Sequence, residues 1–344
     1  MPAAVYHGKG EIAVEDRPVP DPGPGQVLVE VSHCGVCGSD LHLVLEGWGQ
    51  PGRVPGHEWS GRIAALGPDV EGWAVGAPVV GGDLVGCGTC RPCLAGRPSL
   101  CERRDSVMGD GPDGAFASYV LTQAAGLVPV EGSVALRTAA LTEPLAVALH
   151  GVTRGGVRPG ERVLVTGAGP IGLLSIAALA AAGVEEIVVS EPAASRRERA
   201  LLVGAVAGFT PDQLDVPVMP MDVVDEPFDV VLECSGHADA MEAGLAQLGR
   251  AGRLVLVGAG MRRPKFDNNR ILLNELVITG AFNYDAGGFA SALTLLGSGR
   301  LPVDLLVEPA DVPLSGLLDA MHKLESAELA AKVLVAPGAS KGAP

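Results

Sequence analysis

Residues 161–205 read ERVLVTGAGPIGLLSIAALAAAGVEEIVVSEPAASRRERALLVGA. RVLVT is a short strand with an apolar centre. GAGPIG is a glycine-rich turn, and the apolar run after it is long enough for a helix. EIVVS is a second strand, followed by a second helix. Strand, turn, helix and strand in that order make a βαβ unit. Three more strands of the buried kind follow, in FDVVLECSG, GRLVLVG and LVITGAF, with helical stretches between two of them. Continuous apolar strands belong to a parallel sheet covered on both faces. The weakly patterned stretch 210–227, TPDQLDVPVMPMDVVDEP, is expected to be a shortened crossover.

The turn in this unit carries G-x-G-x-x-G as Gly167, Gly169 and Gly172. Alone the motif is weak; here it follows a strand and opens a helix, the context that gives it meaning. Gly167 allows the tight turn, Gly169 lets the backbone approach a pyrophosphate, and Gly172 permits close helix–strand packing. The free N–H groups of the helix N-terminus then face the phosphates. Glu191 ends the second strand. A carboxylate there accepts hydrogen bonds from the adenosine ribose and repels a 2′-phosphate, which favours NAD over NADP. Arg196 and Arg197 follow, and an arginine can hold that phosphate instead.

Upstream the pattern is different. Residues 1 to about 150 are β-rich: QVLVEVSHC, RIAALG, PVVGGDLVG and FASYVLT are short strands between turns. The 344 residues suggest two domains, and 47% apolar residues suffice for two cores. The net charge of −15 repels nucleic acid and anionic membranes, and no basic patch offsets it. The longest apolar run, IGLLSIAALAAAGV, is too short and too rich in Gly and Ala to span a bilayer. The N-terminus has no basic flank before an apolar run, so no signal peptide is expected and the protein is placed in the cytoplasm. Residues 337–344, PGASKGAP, read as a loose tail.

Four of the seven cysteines, Cys87, Cys90, Cys93 and Cys101, lie in GCGTCRPCLAGRPSLC. A disulfide cluster and a closed metal site compete for this pattern. The odd total and the absence of a secretion signal argue against disulfides. Four thiolates with two-residue gaps suit tetrahedral zinc. Free thiols would leave a Gly/Pro-rich loop with nothing to hold its shape. A second set is scattered: Cys37 in CGVCGSDLH, His57 in PGHEWSG and Glu143 in LTEPLAVALH. Cys, His and carboxylate are all zinc ligands, and mixed sets with an open position are catalytic.

With CGVCGSDLH, GHEWSG, CGTCRPCLAGRPSLC, EPLAVALHG, VLVTGAGPIG and AAKVLV in one chain, the sequence resembles the zinc-dependent medium-chain dehydrogenase/reductase family over essentially its whole length. That resemblance implies an α/β protein. A GroES-like β-rich catalytic domain would comprise 1–150 and 284–344, and a Rossmann domain with a doubly wound parallel sheet 151–283. It implies two zinc ions per chain. Cys37, rather than Cys34, would hold the catalytic ion with His57. Glu58 is the acid beside that histidine, and Glu143 stands where the polyol and threonine branches carry a Glu that reaches zinc directly or through water. Glu58, Glu143 or water could complete the set. Ser39 and His42 would relay the alcohol proton to solvent, and Asp40 would orient His57. The cofactor site would extend over Pro170 and Ile171 to Val257, Gly258, Ala259, Phe282 and Asn283, with Arg196 beside the adenine.

The implied activity is hydride transfer between NAD and a secondary alcohol or diol, giving a ketone. A threonine-type amino-alcohol or sugar dehydrogenase is the alternative, and a catalytically silent dinucleotide-binding relative the rival from another class. Sorbitol dehydrogenases carry an Arg where this chain has Asn283 in GAFNY, and a Tyr where it has Leu43. Both changes suit a many-hydroxyl substrate less well. Trp48 and Trp59 could make the pocket more apolar, or be core. Ser99 replaces the Asn frequent in the four-cysteine lobe. The apolar edge strand in NELVITGAFNY points to a homodimer or homotetramer.

Overall fold

The structure is a computed structural model and describes residues 1–81, 85–103, 113–132 and 134–338. The chain divides into two compact units. One holds Met1–Pro144, Asp285–Gly299 and the chain from Val307; the other holds Leu145–Tyr284 and Arg300–Leu306.

The first unit is antiparallel. β1 (Pro2–Gly8) and β2 (Glu11–Asp16) form a hairpin. β3 (Gln26–Gly35) is the spine of a larger sheet, flanked by β4 (Glu58–Leu66) and by the short strand Leu334–Val335. β5 (Pro78–Gly81), β6 (Tyr119–Gln123) and β7 (Leu127–Pro129) extend it, with β6 on β3. The strand expected in PVVGGDLVG is described as far as Gly81; residues 82–84 lie outside the described residues. Alternation along β3 sends Val27, Val29 and Val31 into a core with Ile63, Phe116, Leu317 and Met321. Trp59 belongs to that core at 5% exposure, and a Cβ on Gly81 would lie 2.1 Å from its ring.

The ladder fixes the register that matters for the site. Gly35 is paired with Glu58 on one side and with Leu334 on the other. A Cβ on Gly35 would come within 2.2 Å of Glu58 Oε2 and 3.2 Å of Lys332 Cδ. Only glycine leaves room for both side chains.

The second unit is a six-stranded parallel sheet, with its strands ordered β10-β9-β8-β11-β12-β13. These are β8 (Arg162–Thr166), β9 (Glu186–Ser190), β10 (Ala207–Phe209), β11 (Phe228–Glu233), β12 (Leu248–Leu256) and β13 (Val277–Gly280). The order reverses between β8 and β11, the crevice where doubly wound sheets bind ligands. The helix Pro170–Ala181 is buried from Gly172 to Leu179, which explains why its sequence is apolar on every side. Residues 210–227 contribute only the turn Pro211–Gln213 among the described elements. Arg270 anchors this crossover through its bonds to the carbonyls of Asp222 (2.7 Å) and Pro217 (2.9 Å). No helix among the described residues is long and apolar enough to cross a membrane.

Candidate metal centres and dinucleotide site

Cys90 caps the short helix Arg91–Leu94, whose proline in the first turn starts it cleanly; Cys93 rides on that helix. Gly96 at φ +72° reverses the chain, and the turn Pro98–Leu100 delivers Cys101. The four sulfurs lie within 4.8 Å of one another. Cys87 and Cys93 are 4.0 Å apart, and Cys90 and Cys101 3.9 Å. Disulfide sulfurs would be about 2 Å apart, whereas two thiolates on one tetrahedral zinc are separated by about 3.8 Å. The surroundings prepare the sulfurs for negative charge. The N–H of Cys90 points at Cys87 Sγ and that of Cys87 at Cys101 Sγ, each at 3.4 Å. Hydrogen bonds from Thr89 and Cys90 pull the Cys87 thiol down to about 5. Desolvation and the neighbouring thiols push Cys93 up to about 12. A cluster that favours some thiolates and opposes others is one a cation completes, and the donor set fits zinc. Within the lobe, Arg97 Nε and Ser99 Oγ both donate to Asp285, at 3.2 and 3.1 Å, so Ser99 is an anchor.

The second group is assembled from distant segments. Cys37 caps the helix Gly38–Leu45, and its N–H donates to Asp40 Oδ2 at 2.9 Å. His57 follows Gly56, which turns at φ +101° and where a Cβ would lie 2.9 Å from Phe116 and 3.0 Å from Cys34 Sγ, so no side chain fits. Glu58 opens β4. The ligand atoms of Cys37, His57 and Glu58 lie within 4.8 Å of one another. Glu143, in the first turn of the helix Thr142–Gly155, stands outside that set but is buried and feels the charges of His57 and Glu58. Cys34 is wholly buried, and burial, then Asp40, raise its thiol well above the ordinary value. His57 Nδ1 faces Asp40 Oδ1 at 3.8 Å, which is longer than a hydrogen bond.

The buried charges do not balance. Among the described residues, the buried cation beside Asp40, Glu58 and Glu143 is Lys332, which is 1% exposed; the His57 ring next to them is partly exposed. Lys332 Nζ donates to Glu58 Oε1 at 2.7 Å and to the carbonyl of Val36 at 3.0 Å. Glu58 Oε2 and Asp40 Oδ1 are buried without a hydrogen-bond partner among the described residues. Burial, with Glu58 nearby, pushes the Glu143 carboxyl up to about 7. Desolvation opposes a charged His57, yet Asp40 and Cys37 hold its pKa well above the usual value. Orphaned carboxylate oxygens beside a thiol and an imidazole suit a divalent metal. Lys332 was missed in the sequence, although a lone lysine in the apolar run LAAKVLVAP must find a buried partner.

Ser39 and His42 lie three residues apart on the helix Gly38–Leu45 and so share a face. His42 Nδ1 meets Glu46 Oε1 at 2.8 Å, and the ring stacks on Trp48 with centroids 4.8 Å apart and planes 12° from parallel.

In the other unit, Gly167 turns at φ +88°, and a Cβ there would strike Ser235. A Cβ on Gly172 would lie 2.0 Å from Gly167 O, whereas one on Gly169 would meet nothing within 4 Å. The open space at Gly169, before the helix that begins at Pro170 and Ile171, is a cradle a phosphate can fill. Glu191 is 4% exposed. Its Oε2 accepts the N–H of Ala168 at 2.7 Å, and its Oε1 that of Ala193 at 2.9 Å, so it also braces the glycine turn. Burial lowers the pKa of Arg196 and the Glu191 charge works against that. The N–H groups of Val257 and Gly258 donate to Glu233 O, each at 2.8 Å, and Ala259 packs against Gly236. Phe282 is 40% exposed, and Asn283 takes φ +51°. Glu233, which the sequence did not single out, is fully buried and accepts the N–H groups of Ser235 (2.8 Å) and Gly236 (3.1 Å) below the glycine turn.

Residues 23–132 match the family described as Alcohol dehydrogenase GroES-like domain, and residues 170–298 the family described as Zinc-binding dehydrogenase. An L-threonine 3-dehydrogenase of Pyrococcus horikoshii is 38% identical over 299 residues, covering 84% of this chain and 85% of that protein. A sorbitol dehydrogenase of Halalkalibacterium halodurans is 34% identical over 338 residues, covering 96% of this chain and 97% of that protein. Among solved structures, the 2R,3R-butanediol dehydrogenase of Bacillus subtilis has a TM-score of 0.86 at 29% identity, covering 98% of this chain and 99% of that one.

Proposed function

The chain belongs to the zinc-binding dehydrogenases with an alcohol dehydrogenase GroES-like domain, oxidoreductases that use zinc and NAD(P), and from that premise we propose that it oxidises a secondary alcohol or diol to the ketone. One observation carries the reading: Cys37, His57 and Glu58 converge within 4.8 Å beside unbalanced buried acids. Cys37 and His57 hold the catalytic zinc, with Glu58 or Glu143 as its carboxylate, and Cys87, Cys90, Cys93 and Cys101 hold the structural one. When bound, zinc lowers the pKa of the alcohol and NAD accepts the hydride.

The chain's own groups do the rest. Ser39 accepts the hydroxyl proton, and His42, one helical turn on, returns it to solvent. Asp40 faces His57 Nδ1 and would orient the ring that holds the metal. Residues 1–150 and 284–344 form the catalytic domain and 151–283 the cofactor domain, in which Gly167, Gly169, Gly172, Val257 and Asn283 line the dinucleotide. Asn283 and Leu43, in place of the Arg and Tyr of sorbitol dehydrogenases, favour a substrate with few hydroxyls. NADH formation at 340 nm over a panel of secondary alcohols, diols and sugars tests this. Turnover by the wild type, lost about 10³-fold or more in Cys37→Ser with melting nearly unchanged, is the expected result. Silence of the zinc-loaded wild type across the panel would favour a non-catalytic binding protein.

The 38% identity to an L-threonine 3-dehydrogenase favours a second reading, an amino-alcohol substrate. L-threonine assayed beside 2,3-butanediol separates the two. NAD is preferred because the buried Glu191 carboxylate opposes a 2′-phosphate. Glu191→Ser then shifts kcat/KM from NAD towards NADP; a wild type that already prefers NADP would show that the arginines govern the pocket. The protein is placed in the cytoplasm as a dimer or a dimer of dimers paired through the edge strand β13, and light scattering at micromolar concentration tests the assembly.

A further inference from the structure

The helix Gly38–Leu45 ends in a way the relay alone does not explain. Gly47 at φ +88° reverses the chain, and Gly49 N–H donates to Leu43 O at 2.9 Å. This turn lays Trp48 flat against His42, while Glu46, four residues on from His42, reaches its Nδ1 at 2.8 Å. An ionised carboxylate only accepts hydrogen bonds, so Nδ1 must carry the proton of the neutral ring. Nε2 is then the ring atom left to accept one. An ordinary surface ion pair on a helix needs no second contact. Here one neighbour fixes the ring's tautomer and another its plane.

We infer that Glu46 and Trp48 are positioning residues for His42 that hold its Nε2 ready to receive the proton relayed from Ser39. The inference rests on the relay reading above. The helix itself carries Asp40, whose Oδ2 accepts the N–H of Cys37, and the β1–β2 hairpin packed against it carries His7, Lys9, Glu11, Glu15 and Asp16; among the described residues none of these is bonded to the His42 ring.

The test is the plateau kcat for alcohol oxidation across pH, with the panel substrate that turns over best. Glu46→Gln still offers an acceptor to Nδ1, so it keeps the plateau. Glu46→Ala frees the tautomer and lowers the plateau about threefold, as the competent fraction falls, with KM unchanged. Trp48→Phe keeps most of the plateau. In a His42→Gln background, Glu46→Ala has no further effect. The ring ¹⁵N shifts of His42 in the zinc-loaded protein read the tautomer without turnover, and should change from Nδ1–H towards Nε2–H in Glu46→Ala. Unchanged shifts, or a Glu46→Ala profile matching wild type while His42→Gln is impaired, would overturn the inference. A His42→Gln enzyme with wild-type kcat and profile would remove the relay itself, and the inference with it.

Discussion

The two metal groups reach the same end, a converging donor set, by opposite routes. The four-cysteine lobe is built from one stretch of 15 residues, stays largely open to water, and steadies its sulfurs with backbone N–H groups. The Cys37, His57 and Glu58 group is gathered from separate segments, is walled by buried carboxylates, and has its buried counter-charge in a lysine near the far end of the chain. The first has four identical donors and no vacancy, as a structural site requires. The second mixes ligand types and leaves buried oxygens unsatisfied, the arrangement that lets an exchangeable ligand in. A local site is held by its loop; a dispersed one is held by the fold and must pay for its buried charge.

Breaking the closed lobe should have the largest effect on stability. Cys90→Ser should lose one zinc per chain by elemental analysis and lower the melting temperature by about 10 °C, because metal binding there contributes directly to folding. An unchanged metal ratio and melting temperature would erase the distinction between the two groups. Next in size is Lys332→Met, which leaves Glu58 buried and unpaired at a cost of about 4 kcal/mol. Adding Glu58→Leu should recover part of that loss, and denaturant melts of the four proteins measure the coupling; additive losses would mean the pair does not interact. The smallest effect is on Glu143. Its carboxyl, raised from 4.5 to about 7, keeps a proton in the folded, metal-free protein that the unfolded chain has already released. Stability therefore falls as pH rises through that window, by at most about 3 kcal/mol. Metal-free Glu143→Gln should be more stable than metal-free wild type at pH 8, with the gap closing towards pH 4.5. A gap that stays constant with pH would assign it to packing instead.

What could be read from the sequence follows the same division. The glycine turn and the cysteine lobe were legible because their parts are neighbours in the chain, and spacing there is geometry. That the sheet is parallel followed from continuous apolar runs; its strand order did not. The mate of Glu58 was not legible: 274 residues separate it from Lys332, and no periodicity spans that distance. Nor was the second task of Glu191, because its bond to Ala168 reaches back 23 residues and depends on how two strand ends meet. Trp59 illustrates a third limit. Composition cannot say which side of a strand a tryptophan faces, and the ladder turned this one inward.

The separation between Glu58 and Lys332 also sets a timetable for synthesis. At about 5–20 residues per second, the 274 residues between them take roughly 15 to 55 s to leave the ribosome. Cys37, His57 and Glu58 are made early, and the whole parallel-sheet unit is made before the lysine appears. Zinc pulsed onto ribosome-held chains that stop before or after residue 332 would time its entry. Through that interval Glu58 has no Lys332 to pair with, and the segment that carries the lysine into the strand Leu334–Val335 has not yet been made to dock on β3.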